Sequence, residues 1–262
     1  FTPVNVMRPV HHGVDLAAST TSQDEYILLW SPGNVGNTGY SHVFYRVYST
    51  SNHSLLLSSG IFDVTNPPPE EGSYVMSPRV DNLNILGIIG GWYAAWPRYR
   101  TYDGDPLWQP IVRLVDSLHT PFTPELSPFG AEALGAVDVT AIPGFGTGVV
   151  VATSRQDPWN SKFVFVAYIN SDGSYGPIFQ TFAQGTSMHY AFPGAASSLV
   201  GSAAKAALTW TDYDQSEVSV SSYNEVGEDS HWNWVSGAYD SDVAAFPGGV
   251  ALVYVTGTPG NQ

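Results

Sequence analysis

Gly13-Val14-Asp15-Leu16-Ala17-Ala18 is the stretch on which the reading of this chain turns, because near copies of it recur. Val80-Asp81-Asn82-Leu83, Val137-Asp138-Val139-Thr140 and Ser241-Asp242-Val243-Ala244-Ala245 are each a short β-forming run opened by an aspartate. Gly194-Ala195-Ala196-Ser197 fits the series with alanine in the acidic place. A second marker keeps step with the first. Trp30, Trp96 and Trp210 lie 15 residues after Asp15, Asp81 and Ala195 (30 − 15, 96 − 81, 210 − 195), and Thr153 holds that place after Asp138. Tyr254 comes slightly early after Asp242.

Successive units are spaced by 81 − 15 = 66, 138 − 81 = 57, 195 − 138 = 57 and 242 − 195 = 47 residues. Units of ~40–50 residues, each holding several strands, are the mark of a β-propeller. Five units are visible, and the expected fold is an all-β, five-bladed propeller forming a single domain over 1–262. Its blades are expected at about 13–66, 79–126, 136–185, 193–237 and 241–262, the last completed by residues 1–7. The reason for that last assignment is length. Too few residues run from Asp242 to Gln262 for four strands, whereas Thr2-Pro3-Val4-Asn5-Val6 stands where an outermost strand precedes the other inner strands.

Composition agrees with a turn-rich β protein. The 262 residues include 26 Gly and 19 Pro, and 43% are hydrophobic, which is ample for a core. Only 12% are charged, about half the usual ~25%, and 23 acidic residues face 9 basic ones for a net charge of −14. Nucleic-acid binding is therefore not expected, because phosphate neutralisation needs clustered Lys and Arg. No apolar run reaches ~18 residues, so no membrane span is expected. The chain starts at Phe1, from which a processed N-terminus and a secreted location are expected. Zero cysteine is compatible with that and equally with the cytosol. Asn52-His53-Ser54 is a glycosylation sequon in an expected turn. Nothing in the sequence fixes the oligomeric state.

Within the units, short apolar runs bounded by turn residues read as strands: Tyr26 to Trp30, Trp92 to Trp96, Val149 to Val151 and Ala206 to Trp210. Asn66-Pro67-Pro68-Pro69-Glu70-Glu71-Gly72 reads as a crossing between blades, since proline is excluded from strand interiors. Pro121, Pro124 and Pro128 obscure the outer strand of the second unit, an edge where proline is tolerated. Tyr99 to Trp108 reads as an aromatic loop, and Asn170-Ser171-Asp172-Gly173 as a hairpin turn.

On this architecture the chain resembles the five-bladed β-propellers as a class, although blade signatures such as a Trp-Asp dipeptide are missing. The resemblance implies that the first strand of each blade lines a central channel. Asp15, Asp81, Asp138 and Asp242 would then form a ring of carboxylates at one mouth, broken at Ala195. Clustered like charges raise one another's pKa unless neutralised. Three roles stay open for them: acceptors of backbone N–H groups, ligands of a structural cation, of which calcium suits all-oxygen sites, or catalytic carboxylates. The loops at the same mouth carry Tyr40, Tyr102, Asp103, Trp108, Asp157, Trp159, Asp212 and Tyr213. Aromatic rings beside short polar side chains suit a sugar, whose C–H face stacks on a ring while its hydroxyls find acceptors. Trp30, Trp96 and Trp210, ending interior strands, are expected in the core. The leading expectation is a carbohydrate-binding protein, a lectin whose partners are glycans. The rival is a glycoside hydrolase or calcium-dependent lactonase with channel-mouth carboxylates, for which the inner strands supply only Asp and no matched Glu as general acid.

Overall fold

The structure is a computed structural model that describes residues 14–18, 24–31, 43–56, 62–63, 74–75, 78–83, 91–102, 105–130, 136–142, 147–153, 163–182, 190–200, 203–212, 216–224, 226–246 and 248–256. Every regular element among them is a strand, and every strand pair is antiparallel. The proposed N-terminal strand at 2–6 and the proline-rich crossing at 66–72 lie outside the described residues.

Five sheets follow one another along the chain. The first runs β1 (Val14–Ala18), β2 (Glu25–Trp30), β3 (Phe44–Ser49), β4 (Phe62–Asp63) in spatial as in chain order. The second contains β5 (Tyr74–Val75), β6 (Arg79–Asn82), β7 (Gly91–Tyr102) and β8 (Asp105–Asp116). Here β8 occupies one edge of β7 along its whole length, and β5 and β6 share the other. The proline-bearing stretch beyond β8 does form the outer edge, through bridges of Val112 with Leu126 and of Val115 with Pro121. It is an irregular edge because proline has no N–H to give to a ladder.

The third sheet, β9 (Ala136–Ile142), β10 (Thr147–Thr153), β11 (Phe163–Asn170), β12 (Tyr175–Phe182), is a regular meander. Its last turn closes at Gly173, whose φ of +84° suits glycine, with Gly173 N donating to the Asn170 carbonyl at 2.9 Å. The fourth is β13 (Tyr190–Val200), β14 (Ala203–Asp212), β15 (Glu217–Asn224), β16 (Gly227–Ser236), and the fifth is the hairpin β17 (Ala238–Phe246) and β18 (Gly249–Thr256). The first strands of successive sheets lie side by side, β1 by β6, β6 by β9, β9 by β13 and β13 by β17.

The core lies between sheets, not within any one of them. Ile27, Leu29, Tyr45 and Val47 of the first sheet pack on Trp92, Trp96 and Val115 of the second. Tyr93, Ala95 and Leu114 of the second pack on Val139, Val150 and Ile169 of the third, and Val151, Val166 and Tyr168 of the third on Leu208, Trp210 and Tyr223 of the fourth. Between the fourth and fifth, the apolar contact among the described residues is made by Ala196, Ala207 and Val243. Trp30, Trp96 and Trp210 are buried, as expected, although Trp96 stands in the middle of β7 and not at a strand end. Tyrosine hydroxyls tie neighbouring sheets at the outer side: Tyr45 donates to the His119 carbonyl, Tyr93 to that of Ile169 at 3.3 Å, and Tyr168 to that of Asn224.

The register places both sequence markers on one hairpin, with the residue opposite each aspartate 11 to 14 positions further on. Asp15 stands opposite Leu29, Asp81 opposite Tyr93, Asp138 opposite Val151 and Asp242 opposite Val253. The tryptophan or its substitute falls just past that partner, on the second strand of the hairpin. One alignment needs correction. A bulge between Ala191 and Gly194 shifts the fourth sheet, so Ala195 packs toward the third sheet while Gly194 faces the fifth. Gly194, not Ala195, therefore stands in the place that the aspartates take elsewhere. A Cβ there would meet Thr209 Oγ1 at 2.6 Å and the Asp242 Cα at 3.3 Å, which leaves no room for a side chain.

Candidate functional site

The inner-strand aspartates act on backbone amides. Each folds one oxygen over the amide of the residue after it: Leu16 N donates to Asp15 Oδ1 at 2.9 Å, Asn82 N to Asp81 Oδ1 at 2.7 Å, Val139 N to Asp138 Oδ1 at 2.8 Å and Val243 N to Asp242 Oδ1 at 2.8 Å. The second oxygen reaches the first strand of the next sheet. Val80 N donates to Asp15 Oδ2 at 2.8 Å, Ala141 N to Asp81 Oδ2 at 3.0 Å, and Ala195 N to Asp138 Oδ2 at 2.7 Å. Thr140 Oγ1 adds a bond to Asp81 Oδ2 at 2.8 Å. An innermost strand has a ladder partner on one edge only, so its other row of N–H groups needs acceptors, and the carboxylates supply them. Three consecutive sheet junctions are latched in this way.

The cation within this cluster is Arg79. It stands two residues before Asp81, hence on the same face of β6, and its charge acts on both Asp15 and Asp138. Burial nevertheless dominates. It raises Asp15 and Asp81 above the usual carboxylate range and pushes Asp138 up to about 8, against the pull of Arg79 and of the amide bonds from Val139 and Ala195. Asp15 adds to the rise at Asp138 by like-charge repulsion. Among the described residues no group of three or more His, Cys, Asp or Glu side chains is arranged to hold a metal ion.

The other half of the expected site is an arm. β6 pairs with β7 only from Trp92 to Ala95, whereas β7 and β8 continue together as far as the Tyr102–Asp105 pair. The stretch from Tyr99 to Trp108, expected as a loop, is thus the distal part of a long hairpin, with Tyr102 and Trp108 inside strands. Strong β-formers at Tyr99, Thr101, Tyr102 and Trp108 carry the ladder outward. The root of the hairpin is held. Arg98 forms an ion pair with Glu125, and the directly opposed Gln109 donates from Nε2 to the Gly130 carbonyl at 2.9 Å.

Register brings three aromatic residues together on this arm. Tyr74 of β5 stands opposite Tyr99 of β7, which stands opposite Trp108 of β8. Directly opposed residues of antiparallel strands share one face, so Tyr74, Tyr99 and Trp108 form a row across three strands. Tyr74 escaped sequence reasoning because its partner is set by a strand of two residues with no periodicity of its own. Of the remaining expected ligands, Asp212 ends β14 and is buried, opposite Tyr190 and Glu217. Tyr40, Asp103, Asp157, Trp159 and Tyr213 lie outside the described residues.

No protein-family model matches this chain, and no curated protein matches its sequence. Among solved structures it is similar to an exo-β-1,3-galactanase from Clostridium thermocellum, with a TM-score of 0.52 and 11% identity, over 94% of this chain and 55% of that one. It also matches an exo-β-1,3-galactanase from Phanerochaete chrysosporium at a TM-score of 0.48 and 9% identity, over 88% of this chain and 53% of that one. A third match is the β-propeller domain of Cps50 from Myceliophteria thermophila, at a TM-score of 0.32 and 8% identity, over 87% of this chain and 75% of that one. The chain spans about half the length of the two galactanase structures, and the likeness to the first is one of fold.

Proposed function

We propose that this chain is a carbohydrate-binding protein built on a five-bladed ring of the five sheets, and that it holds glycans on the β7–β8 arm. The observation that carries this reading is the row of Tyr74, Tyr99 and Trp108 across three adjacent strands, on a hairpin whose root is fastened by Arg98–Glu125 and by Gln109. Aromatic residues brought to one face by register suit the C–H face of a pyranose. Thr101, two residues on from Tyr99 and so on the same face of the arm, offers a hydroxyl as donor and acceptor.

Binding is favoured over hydrolysis by what the inner-strand carboxylates do. Asp15, Asp81 and Asp138 give both oxygens to protein N–H groups, whereas a glycosidase needs an acid and a base free to face the glycosidic bond ~5–10 Å apart. β-1,3-linked galacto-oligosaccharides are the first probes, since the C. thermocellum structure of similar fold is an exo-β-1,3-galactanase.

The test is a glycan array followed by calorimetry on the wild type and on Trp108→Ala and Tyr99→Ala. Binding weakened about tenfold or more in both variants, with melting nearly unchanged, is the expected outcome, each ring contributing on the order of 1–2 kcal/mol. Full binding by both variants would place the site elsewhere. Steady release of nitrophenol from an aryl galactoside, lost in Asp138→Asn, would replace the lectin reading with the hydrolase one.

A further inference from the structure

We propose that Asp242 is the fourth latch and that its partner is β1 of the same chain, so that the outward face of the fifth sheet docks on the backward face of the first. The reading rests on the five-bladed ring and assigns the residues of its seam.

Each sheet from the second to the fourth has one neighbour on either side, and its first strand shows this in alternation. In β9, Val139 packs toward the second sheet while Asp138 reaches the fourth. In β6, Val80 packs toward the first sheet while Asp81 reaches the third. The first and fifth sheets keep the same alternation, with one side uncovered by any of the described residues. In β1, Ala17 and Asp15 face the second sheet, whereas Val14 and Leu16 are 60% and 61% exposed. In β17, Val243 packs on the fourth sheet, whereas Asp242 is exposed beside its opposed partner Val253, itself 65% exposed. Val255 continues that apolar face. Among the described residues, β17–β18 thus present an apolar face plus a carboxylate, and β1 an apolar face on an innermost strand.

The chemistry at the two ends is complementary in the manner of the three latches already made. Asp242 has folded Oδ1 over Val243 N, as Asp15, Asp81 and Asp138 do over their own next residues. In those three latches Oδ2 accepts from an amide whose residue faces back toward the preceding sheet: Val80, Ala141 and Ala195. The residues of β1 that face back are Val14, Leu16 and Ala18. Leu16 N already donates to Asp15, so the amide of Val14 or of Ala18 is the donor to Asp242. Val14 and Leu16 then meet Val253 and Val255, which removes the largest exposed apolar face of the fifth sheet from water.

The absence of cysteine from the chain makes the seam directly testable. Leu16→Cys with Val253→Cys, and Val14→Cys with Val255→Cys, are prepared as two double variants at exposed positions. On mild oxidation the expected product of at least one pair is an internal disulfide, read as loss of free thiol with a monomeric mass. Thiols that stay reduced in both pairs overturn the proposal, and a disulfide-linked dimer overturns it in favour of a second copy as the occupant. Hydrogen exchange supplies the second readout. Asp242→Ala is expected to raise opening about tenfold in β1 and in β17–β18 together, since a bond to a charged acceptor is lost at their junction, while β9–β12 keep their protection. A rise confined to β17–β18 would refute the partner. Neither measurement involves glycan, so failure of the seam and failure of the binding reading are separable.

Discussion

Replacing Asp138 with Asn isolates the most buried of the latching carboxylates. In the folded chain its pKa is pushed up to about 8 by burial, and in the unfolded chain it returns to ~3.9. The folded state therefore holds a proton that the unfolded state has released across the interval between those values. The stability gained from that proton is full below about pH 4 and is lost as pH rises through about 8. From pH 8 to pH 6 the folded carboxyl goes from half to almost fully protonated while the unfolded one stays ionised, which amounts to about 2 kcal/mol of added stability. Urea melts of the wild type and of Asp138→Asn at pH 6, 7 and 8 measure it. Asp15 and Asp81 are raised as well and leave a residual slope in the variant, so the informative quantity is the difference between the two slopes. The wild type should gain about 2 kcal/mol more than the variant on going from pH 8 to pH 6. Equal slopes, or a wild type that gains stability between pH 6 and pH 8, would refute the reasoning. They would mean that Arg79 and the amides of Val139 and Ala195 hold Asp138 ionised despite its burial.

Two further outcomes concern the same architecture. Trp96→Ala removes a fully buried ring between the first and second sheets and should cost ~3–5 kcal/mol in denaturant melts, where a loss under about 1 kcal/mol would show that the ring is not core. Chelator should leave the melting temperature unchanged, because the second oxygens of Asp15, Asp81 and Asp138 are taken by amides of the neighbouring sheets. A drop that added calcium reverses would assign these carboxylates to an ion instead.

The recurrence of aspartate and tryptophan was legible because it is a local consequence of hairpin geometry. The aspartate and the ring lie on paired strands of one hairpin, so their spacing is short enough to be read in one dimension even though the offset between opposed residues varies from 11 to 14. The strands at Glu25–Trp30 and Thr147–Thr153 were legible as well, their β-branched and aromatic residues being bounded by turn formers. The burial of Trp96 followed from its place at the end of an apolar run. That the aspartates accept backbone N–H bonds was among the roles open in the sequence, but which amides they accept from was not legible, because these lie about 57 to 65 residues away on another sheet and any N–H serves equally well as a donor. A backbone amide leaves no signature in the identity of its residue.

The arm and the bulge mark the same limit from the other side. Tyr99 to Trp108, rich in Gly, Asp and Pro, carries loop composition, and only pairing across β7 and β8 makes it a hairpin that aligns Trp108 with Tyr99 and with Tyr74. At Gly194 a shift of one position exchanges the faces of a strand, so the alignment by sequence chose Ala195 while packing against Asp242 selected its neighbour. Local periodicity and turn chemistry act over a few residues and are written in the chain. Register across a sheet and contact between sheets are decided by which distant surfaces meet, and those are settled only when the whole chain has folded.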